Sequence, residues 1–267
     1  MGKLGNGKTK PNLKMSMWNV NGIRSVINKN SLKDFVSKYD PDFICINETK
    51  IDAEMYEKDR FKLKLLGYND YWNFCKCSAG YSGVAVYSKY QPISIEEDFE
   101  EEIYSQEGRV LTLKYELFYL IVVYIPSAGT KELERLKYKT EKYWGAFQKH
   151  CEKVKNQALD EGKGVIICGD LNVAHQDDLD NYVPKKAELG AWRDKQPGFT
   201  PEERMAFRRF LSQGWVDTFR HFYPQKIQYT WWRIEHKNRE RNIGRRLDYF
   251  LVNKDFLSVV QDSIILG

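Results

Sequence analysis

The sequence predicts a single α/β domain in which two packed sheets carry helices on their outer faces. Short apolar runs rich in β-branched and aromatic residues recur along the whole chain, separated in places by hairpin-length turns and in places by helical patterns. No internal repeat, low-complexity linker or shift in composition divides residues 15–267. Hairpin-linked strands mixed with covering helices favour two packed sheets over a regular doubly wound sheet.

In chain order, residues 1–14 (MGKLGNGKTKPNLK) are polar and lysine-rich with no apolar h-region, so they read as a flexible basic tail rather than a secretory signal. Strands are expected at Met15 to Val20, Asp42 to Ile46, Ser82 to Ser88, Arg109 to Tyr115, Phe118 to Ile125, Val165 to Cys168 and Leu247 to Val252. A long amphipathic helix is expected over about residues 131–159, where Leu133, Leu136, Tyr143, Trp144, Phe147, Cys151 and Val154 recur at three-and-four spacing with lysines between. A second helix opens with a capping box, Thr200 as N-cap with Pro201 first and Glu203 third, and stops before Gly214.

The 267 residues include 42 Lys and Arg against 37 acidic residues, a net charge of +5 that suits an anionic partner without demanding one. A hydrophobic fraction of 42%, with 7 Trp, 17 Tyr and 14 Phe, excludes a disordered chain. The apolar run from Leu117 to Pro126 is about half of what a membrane span needs and reads as a buried strand. Cys45, Cys75, Cys77, Cys151 and Cys168 have neither the spacing of a zinc site nor that of a disulfide framework, which fits a reducing, intracellular setting.

Several apolar strands end alike. Met17-Trp18 runs into Asn19 and Asn21, Phe43 to Ile46 into Asn47 and Glu48, Val122-Val123 into Tyr124, and Val165 to Cys168 into Asp170 and Asn172. One such end is an ordinary turn signal. A series of them, gathered at neighbouring strand ends, makes an oxygen-rich pocket suited to a hard cation and to orienting a water.

The succession WNVNGIRS, INETK, GYSGVAVYSK, YIPSAG, CGDLNVAH, GFTPEER, DTFRHFYP, YTWWR and GRRLDYFLV resembles the exonuclease III-type apurinic/apyrimidinic (AP) endonucleases of the endonuclease/exonuclease/phosphatase superfamily, collinearly from about residue 15 to the end. The resemblance implies a deoxyribonuclease I-like four-layer α/β/β/α sandwich. It implies incision of double-stranded DNA 5′ to abasic sites in base excision repair, with Mg²⁺ or Mn²⁺ as cofactor and with 3′-to-5′ exonuclease and 3′-end cleaning as activities sharing the site. It further implies a monomer, an intracellular protein, and in a eukaryote a nuclear or mitochondrial one.

By the same resemblance Glu48 is the main metal carboxylate, with Asn21 beside it where some relatives have Asp. Asp170 holds or deprotonates the attacking water, Asn172 and Asn19 orient it and the phosphate, and Tyr124 donates its hydroxyl to the phosphate. Trp231, Trp232 and Leu247 match a pocket for a flipped-out, base-less sugar, where the unstacking cost is lowest. Arg245 stands where some relatives are bulky and aromatic, and Arg233 and Arg246 bound an arginine-rich stretch expected to meet DNA phosphates. Asp248 matches the residue that orients a catalytic His in a C-terminal Ser-Asp-His motif. The sequence ends Asp262-Ser-Ile-Ile-Leu-Gly267 without that motif, so the chain is expected to lack its final strand segment and to be impaired. A catalytically inactive DNA-binding relative and a phosphoinositide phosphatase stay open as alternatives.

Overall fold

A computed structural model describes residues 12–99, 106–130, 132–182, 195–233 and 237–266. Strands Met15–Asn19 (β1), Phe43–Asn47 (β2), Asn69–Asn73 (β3) and Val84–Ser88 (β4) form one sheet in the order β1-β2-β4-β3. Strands Ser94–Glu97 (β5), Val110–Lys114 (β6), Phe118–Tyr124 (β7), Gly164–Asp170 (β8), Trp215–Asp217 (β9) and Asp248–Asn253 (β12) form a second, ordered β5-β6-β7-β8-β12-β9. Trp231–Trp232 (β10) and Gly244–Arg245 (β11) pair as a small separate ribbon.

The strand alternation builds the layers. Phe43 and Cys45 point between the sheets with Val84 and Val86, meeting Leu111, Leu113, Leu120, Val122, Ile166 and Cys168 of the second sheet. Ile44 and Ile46 point the other way, onto Ile23, Val26, Leu32 and Leu63 from helices Ile23–Asn28, Ser31–Tyr39 and Ala53–Leu63. On the far side of the second sheet, Tyr119, Ile121, Val165 and Ile167 take Phe147, Cys151 and Val154 of helix Trp144–Asp160. The result is the expected four layers. Its two parallel pairs, β1 with β2 and β7 with β8, are the ones joined by helical crossovers.

The long helix starts later than its periodicity predicts. Leu133 has φ 56°, Arg135 N–H donates to the Ala128 carbonyl in a turn, and Tyr138–Tyr143 is a π-helical turn leading into Trp144–Asp160. That turn carries Lys139, fully buried, whose Nζ donates to the Asn172 carbonyl at 2.6 Å and to Glu203 at 2.5 Å. Leu133 therefore belongs to a turn, and the helical stretch begins at Leu136. The capping box holds in both directions, Thr200 accepting from Glu203 N–H while Glu203 accepts from Thr200 N–H. β3, β5, β9 and the β10–β11 ribbon, together with the three helices before residue 64, were not legible in the sequence pattern, because elements of two to eleven residues repeat their period only a few times at most.

Gly169 shows how tightly the site end of β8 is fitted. Its φ is 150°, and a Cβ there would lie 1.8 Å from the Val123 carbonyl oxygen of the parallel neighbour β7. Neither strand can give way without opening the ladder that delivers Tyr124 and Asp170 side by side. Gly169→Ala is expected to cost about 2–4 kcal/mol through strain and overpacking. Denaturant unfolding should show a lower midpoint at unchanged slope, and an unchanged midpoint would contradict this account of the close approach.

Candidate active site

The C-terminal ends of strands from both sheets converge on one amide. Asn19, last residue of β1, uses the two protons of Nδ2 to donate to Glu48 Oε1 at 2.9 Å and to Asp170 Oδ2 at 2.8 Å. Its Oδ1 accepts from Asn21 N–H at 3.0 Å, which fixes the orientation of the amide. Glu48 comes from the first sheet and Asp170 from the second, so Asn19 holds two carboxylates together across the sandwich. Asn47, fully buried, does a parallel job behind them. Its Nδ2 donates to the Val123 carbonyl at 3.1 Å and its Oδ1 accepts from Asp170 N–H at 3.0 Å.

Tyr124, beside Asp170 on β7, has a buried ring and a hydroxyl that faces the Glu48 carboxylate. The fully buried Arg109 fixes that ring, with its guanidinium 4.6 Å from the ring centroid and Nη1 donating to the Tyr124 carbonyl at 3.0 Å. Asn172 donates its N–H to Asp170 Oδ1 at 2.8 Å and its Nδ2 to the Ile125 carbonyl at 2.8 Å. Asp248 opens β12 directly opposite Asp170 in the antiparallel ladder. Its N–H donates to Thr230 Oγ1 at 3.2 Å, and its Oδ1, shut off from solvent, has no hydrogen-bond partner among the described residues. Asn21, Glu48, Lys50 and Asn172 all take positive φ between 45° and 54°, so backbone strain is concentrated around these carboxylates.

The charges are opposed. Burial, with the neighbouring Glu48 charge adding to it, pushes Asp170 up to about 7, and burial beside Asp170 raises Asp248 well above the carboxylate range. Burial also presses on Glu48, but hydrogen bonds from Asn19 and Lys50 outweigh it and hold its carboxyl below the usual range. Lys50 Nζ stands 2.9 Å from Glu48 Oε2 and also donates to Asn21 Oδ1. A hard divalent cation fits this set of oxygens, because it would relieve the repulsion that Lys50 only partly offsets. Among the described residues no three His, Cys, Asp or Glu side chains form a closed cage. Such a cation would rest on Glu48 with amide, water and phosphate oxygens completing its shell, a weak and substrate-assisted site.

A model for the Endonuclease/Exonuclease/phosphatase family matches residues 18–267, which span the strand ends just described. The chain belongs to this family. A family member, an exodeoxyribonuclease of Bacillus subtilis, is 39% identical over 254 residues covering 95% of this chain and 93% of its own. A DNA-(apurinic or apyrimidinic site) endonuclease of Dictyostelium discoideum is also 39% identical over 94% of this chain, which spans 65% of that longer protein. The crystal structure of an AP endonuclease from Leishmania major superposes with a TM-score of 0.84 at 29% identity, over 94% of this chain and 81% of that one. The family's deoxyribonuclease I-like fold, with two mixed sheets flanked by helices, is therefore the fold of this chain.

The structure brings Asn19, Glu48, Tyr124, Asp170, Asn172 and Asp248 together. It places Asn21 at their edge, exposed and turned to Lys50. Leu247 lies against Ala174 and Phe199 beside Asn172, Trp231 is 41% exposed, and Trp232 is half-buried beneath the Arg239 guanidinium. Arg233 is exposed. Arg246 corrects its expected place against DNA. It is 0% exposed, forked between Asp180 and Asp217, because a guanidinium this deep needs carboxylates within the fold.

Asn47 stands in the series of polar strand ends with no role assigned to it, and Lys50, Arg109 and Thr230 were not expected as parts of the site. The one signal for them was a polar residue interrupting or ending an apolar run, which for Asn47 and Arg109 the sequence did contain. Of the histidines, His150 bonds Thr112 at 2.8 Å and His175 and His221 pack against Phe207 and Phe222, while His236 lies outside the described residues.

Proposed function

We propose that this protein is a Mg²⁺-dependent phosphodiesterase that incises DNA 5′ to abasic sites and leaves a 3′-hydroxyl, as part of base excision repair. The Asn19 amide that ties Glu48 to Asp170 carries the reading, since it sets a carboxylate able to hold a metal and a base of raised affinity for protons on one amide. Asp170, at about 7, is poised to take a proton from water near neutral pH. The Tyr124 hydroxyl, facing Glu48, donates to the non-bridging oxygen, and Asn172 fixes the Asp170 carboxylate from its own main chain. Glu48 would hold the Mg²⁺, which would supply charge relief to the phosphate and the leaving oxygen. The name of the Bacillus subtilis relative supports 3′-to-5′ exonuclease as a second activity of the same site.

A labelled duplex carrying one abasic analogue tests this. Incision at the analogue is expected with Mg²⁺ and its loss with chelator. Binding without incision in Mg²⁺ would support a DNA-binding relative instead, and release of phosphate from an inositol phosphate would support a phosphatase. Residues 1–267 contain no Ser-Asp-His motif. Asp248 carries a buried oxygen with no partner among the described residues, where a His would be oriented. A chain of these residues is expected to incise about 10²–10⁴-fold more slowly than one extended beyond Gly267 by a Ser-Asp-His segment, the usual contribution of a positioned acid or base. Equal single-turnover rates would remove the His from the proposed mechanism.

A further inference from the structure

Arg245 is held unlike the other arginines withdrawn from water. Arg109 pairs with Glu107, Arg220 with Asp180, and Arg246 with Asp180 and Asp217. Arg245 is half-buried and meets only neutral acceptors, its Nε donating to Asn181 Oδ1 at 2.9 Å, Nη1 to the Pro197 carbonyl at 2.5 Å and Nη2 to Gln196 Oε1 at 3.0 Å. Among the described residues no Asp or Glu lies within ion-pair distance of it. A partly desolvated guanidinium with no carboxylate in contact is costly to keep, and burial, opposed only by the more distant Glu203 charge and aided by that of Arg233, lowers its proton affinity to about 10. Three of its five N–H groups are used, which leaves one free on each terminal nitrogen.

Its position is as telling as its partners. Arg245 pairs across the ribbon with Trp231, which is 41% exposed, and its guanidinium stands 5.9 Å from that ring. The 196–198 segment that holds it also abuts the reacting centre. A Cβ on Gly198 would sit 3.0 Å from the Asn172 carbonyl oxygen and 3.6 Å from Leu247 Cδ2. The rigid fork is thus one loop away from Asp170, on the side of the open aromatic face.

We propose that Arg245, oriented by Asn181 and Gln196, is a binding subsite for one DNA phosphodiester flanking the bond that is cut. Three neutral acceptors aim the fork without cancelling its charge, and the nucleic acid supplies the missing anion. This rests on the DNA substrate proposed above and assigns a particular phosphate contact within it. It also gives the aromatic wall a charged boundary, so that docking is set by charge geometry as well as by stacking.

Binding of the abasic-analogue duplex, measured by fluorescence anisotropy in chelator across a salt series, tests the assignment. Arg245→Gln is expected to reduce the slope of log affinity against log salt by about 0.9, the release from one phosphate, while Arg245→Lys keeps most of it. In a scan of neutral methylphosphonates, one position near the cut should weaken wild type by about 10-fold and leave Arg245→Gln unaffected. Equal slopes, with every methylphosphonate costing both proteins alike, would overturn the subsite, provided Arg245→Gln melts as wild type does. If it does not, the same comparison made with Arg245→Lys at the responsive position decides the matter. A wild type that shows this signature but never incises overturns the proposed activity alone. One that incises without any Arg245-dependent position overturns the subsite alone.

Discussion

Asp170→Asn is expected to lower the rate of incision by about 10³–10⁴-fold while raising the melting temperature of the metal-free protein at pH 8. The activity loss follows from removing the group poised to take a proton from water. The gain in stability follows from burial, which pushes the folded-state pKa of Asp170 from 3.8 up to about 7. A group whose pKa is raised on folding contributes stability that is complete below the pH at which the unfolded chain titrates. That contribution is lost as pH rises through about 7. At pH 8 the wild type therefore carries a buried charge facing Glu48 and Asp248 that the amide lacks.

The amide also loses something, since its own N–H₂ would face the Asn19 Nδ2 that now donates to Asp170. At pH 5 the wild-type carboxyl is already protonated, and this mismatch alone should leave the variant equal or less stable. Melting in chelator at pH 5 and pH 8 reads both limits, with roughly 2–4 °C for each kcal/mol in a chain of this size. A difference between the two proteins that stays constant across pH would sink the claim that Asp170 is held at high pKa. Loss of activity with no such crossing would leave its catalytic role but remove the electrostatic reason for it.

The second large effect is on stability. Asp180 accepts from Arg246 Nε at 2.7 Å and Nη2 at 3.0 Å, from Arg220 Nη2 at 2.5 Å and from Gln176 N–H at 3.0 Å, all out of water. Asp217 completes the group, accepting from Arg246 Nη2 at 2.6 Å. Asp180→Asn would leave the buried Arg220 guanidinium with carbonyl acceptors and no carboxylate, and Arg246 with Asp217 alone, a change that costs about 3–5 kcal/mol. That corresponds to a fall of roughly 10 °C in melting temperature. The pKa of Asp180 is lowered in the fold, because the attraction of Arg246 and Arg220 overcomes the penalty of burial. Its contribution is thus present above about pH 4 and is lost as pH falls through the lowered folded-state value. The variant should lack that acid limb, so the two proteins should converge in stability as the solution is acidified. A loss that stays the same down to pH 2 would mean that packing, not charge, is the cause. Arg246 directly precedes Leu247 and Asp248, so reduced activity is also expected as the start of β12 loosens.

The sequence by itself determined the layer order and most of the reacting groups. Phe43, Cys45 and their neighbours alternate at the strand period, and the capping box at Thr200 is a local hydrogen-bond pattern that needs no distant partner. Asn19, Glu48, Asp170 and Asn172 were visible because a polar residue at the abrupt end of an apolar run has few structural reasons to be there. What the sequence could not determine was which charges face one another. Arg245 and Arg246 are adjacent and chemically identical, yet one is forked between two buried carboxylates and the other is held by neutral acceptors. The extended chain turns successive side chains to opposite sides, and the partners, Asp180 and Asp217 for one, Asn181 and Gln196 for the other, arrive from 29 to 66 residues away. The raised affinity of Asp170 for protons has the same origin, since it depends on a carboxylate brought from the other sheet and on the exclusion of water, and neither exists until the two sheets have packed.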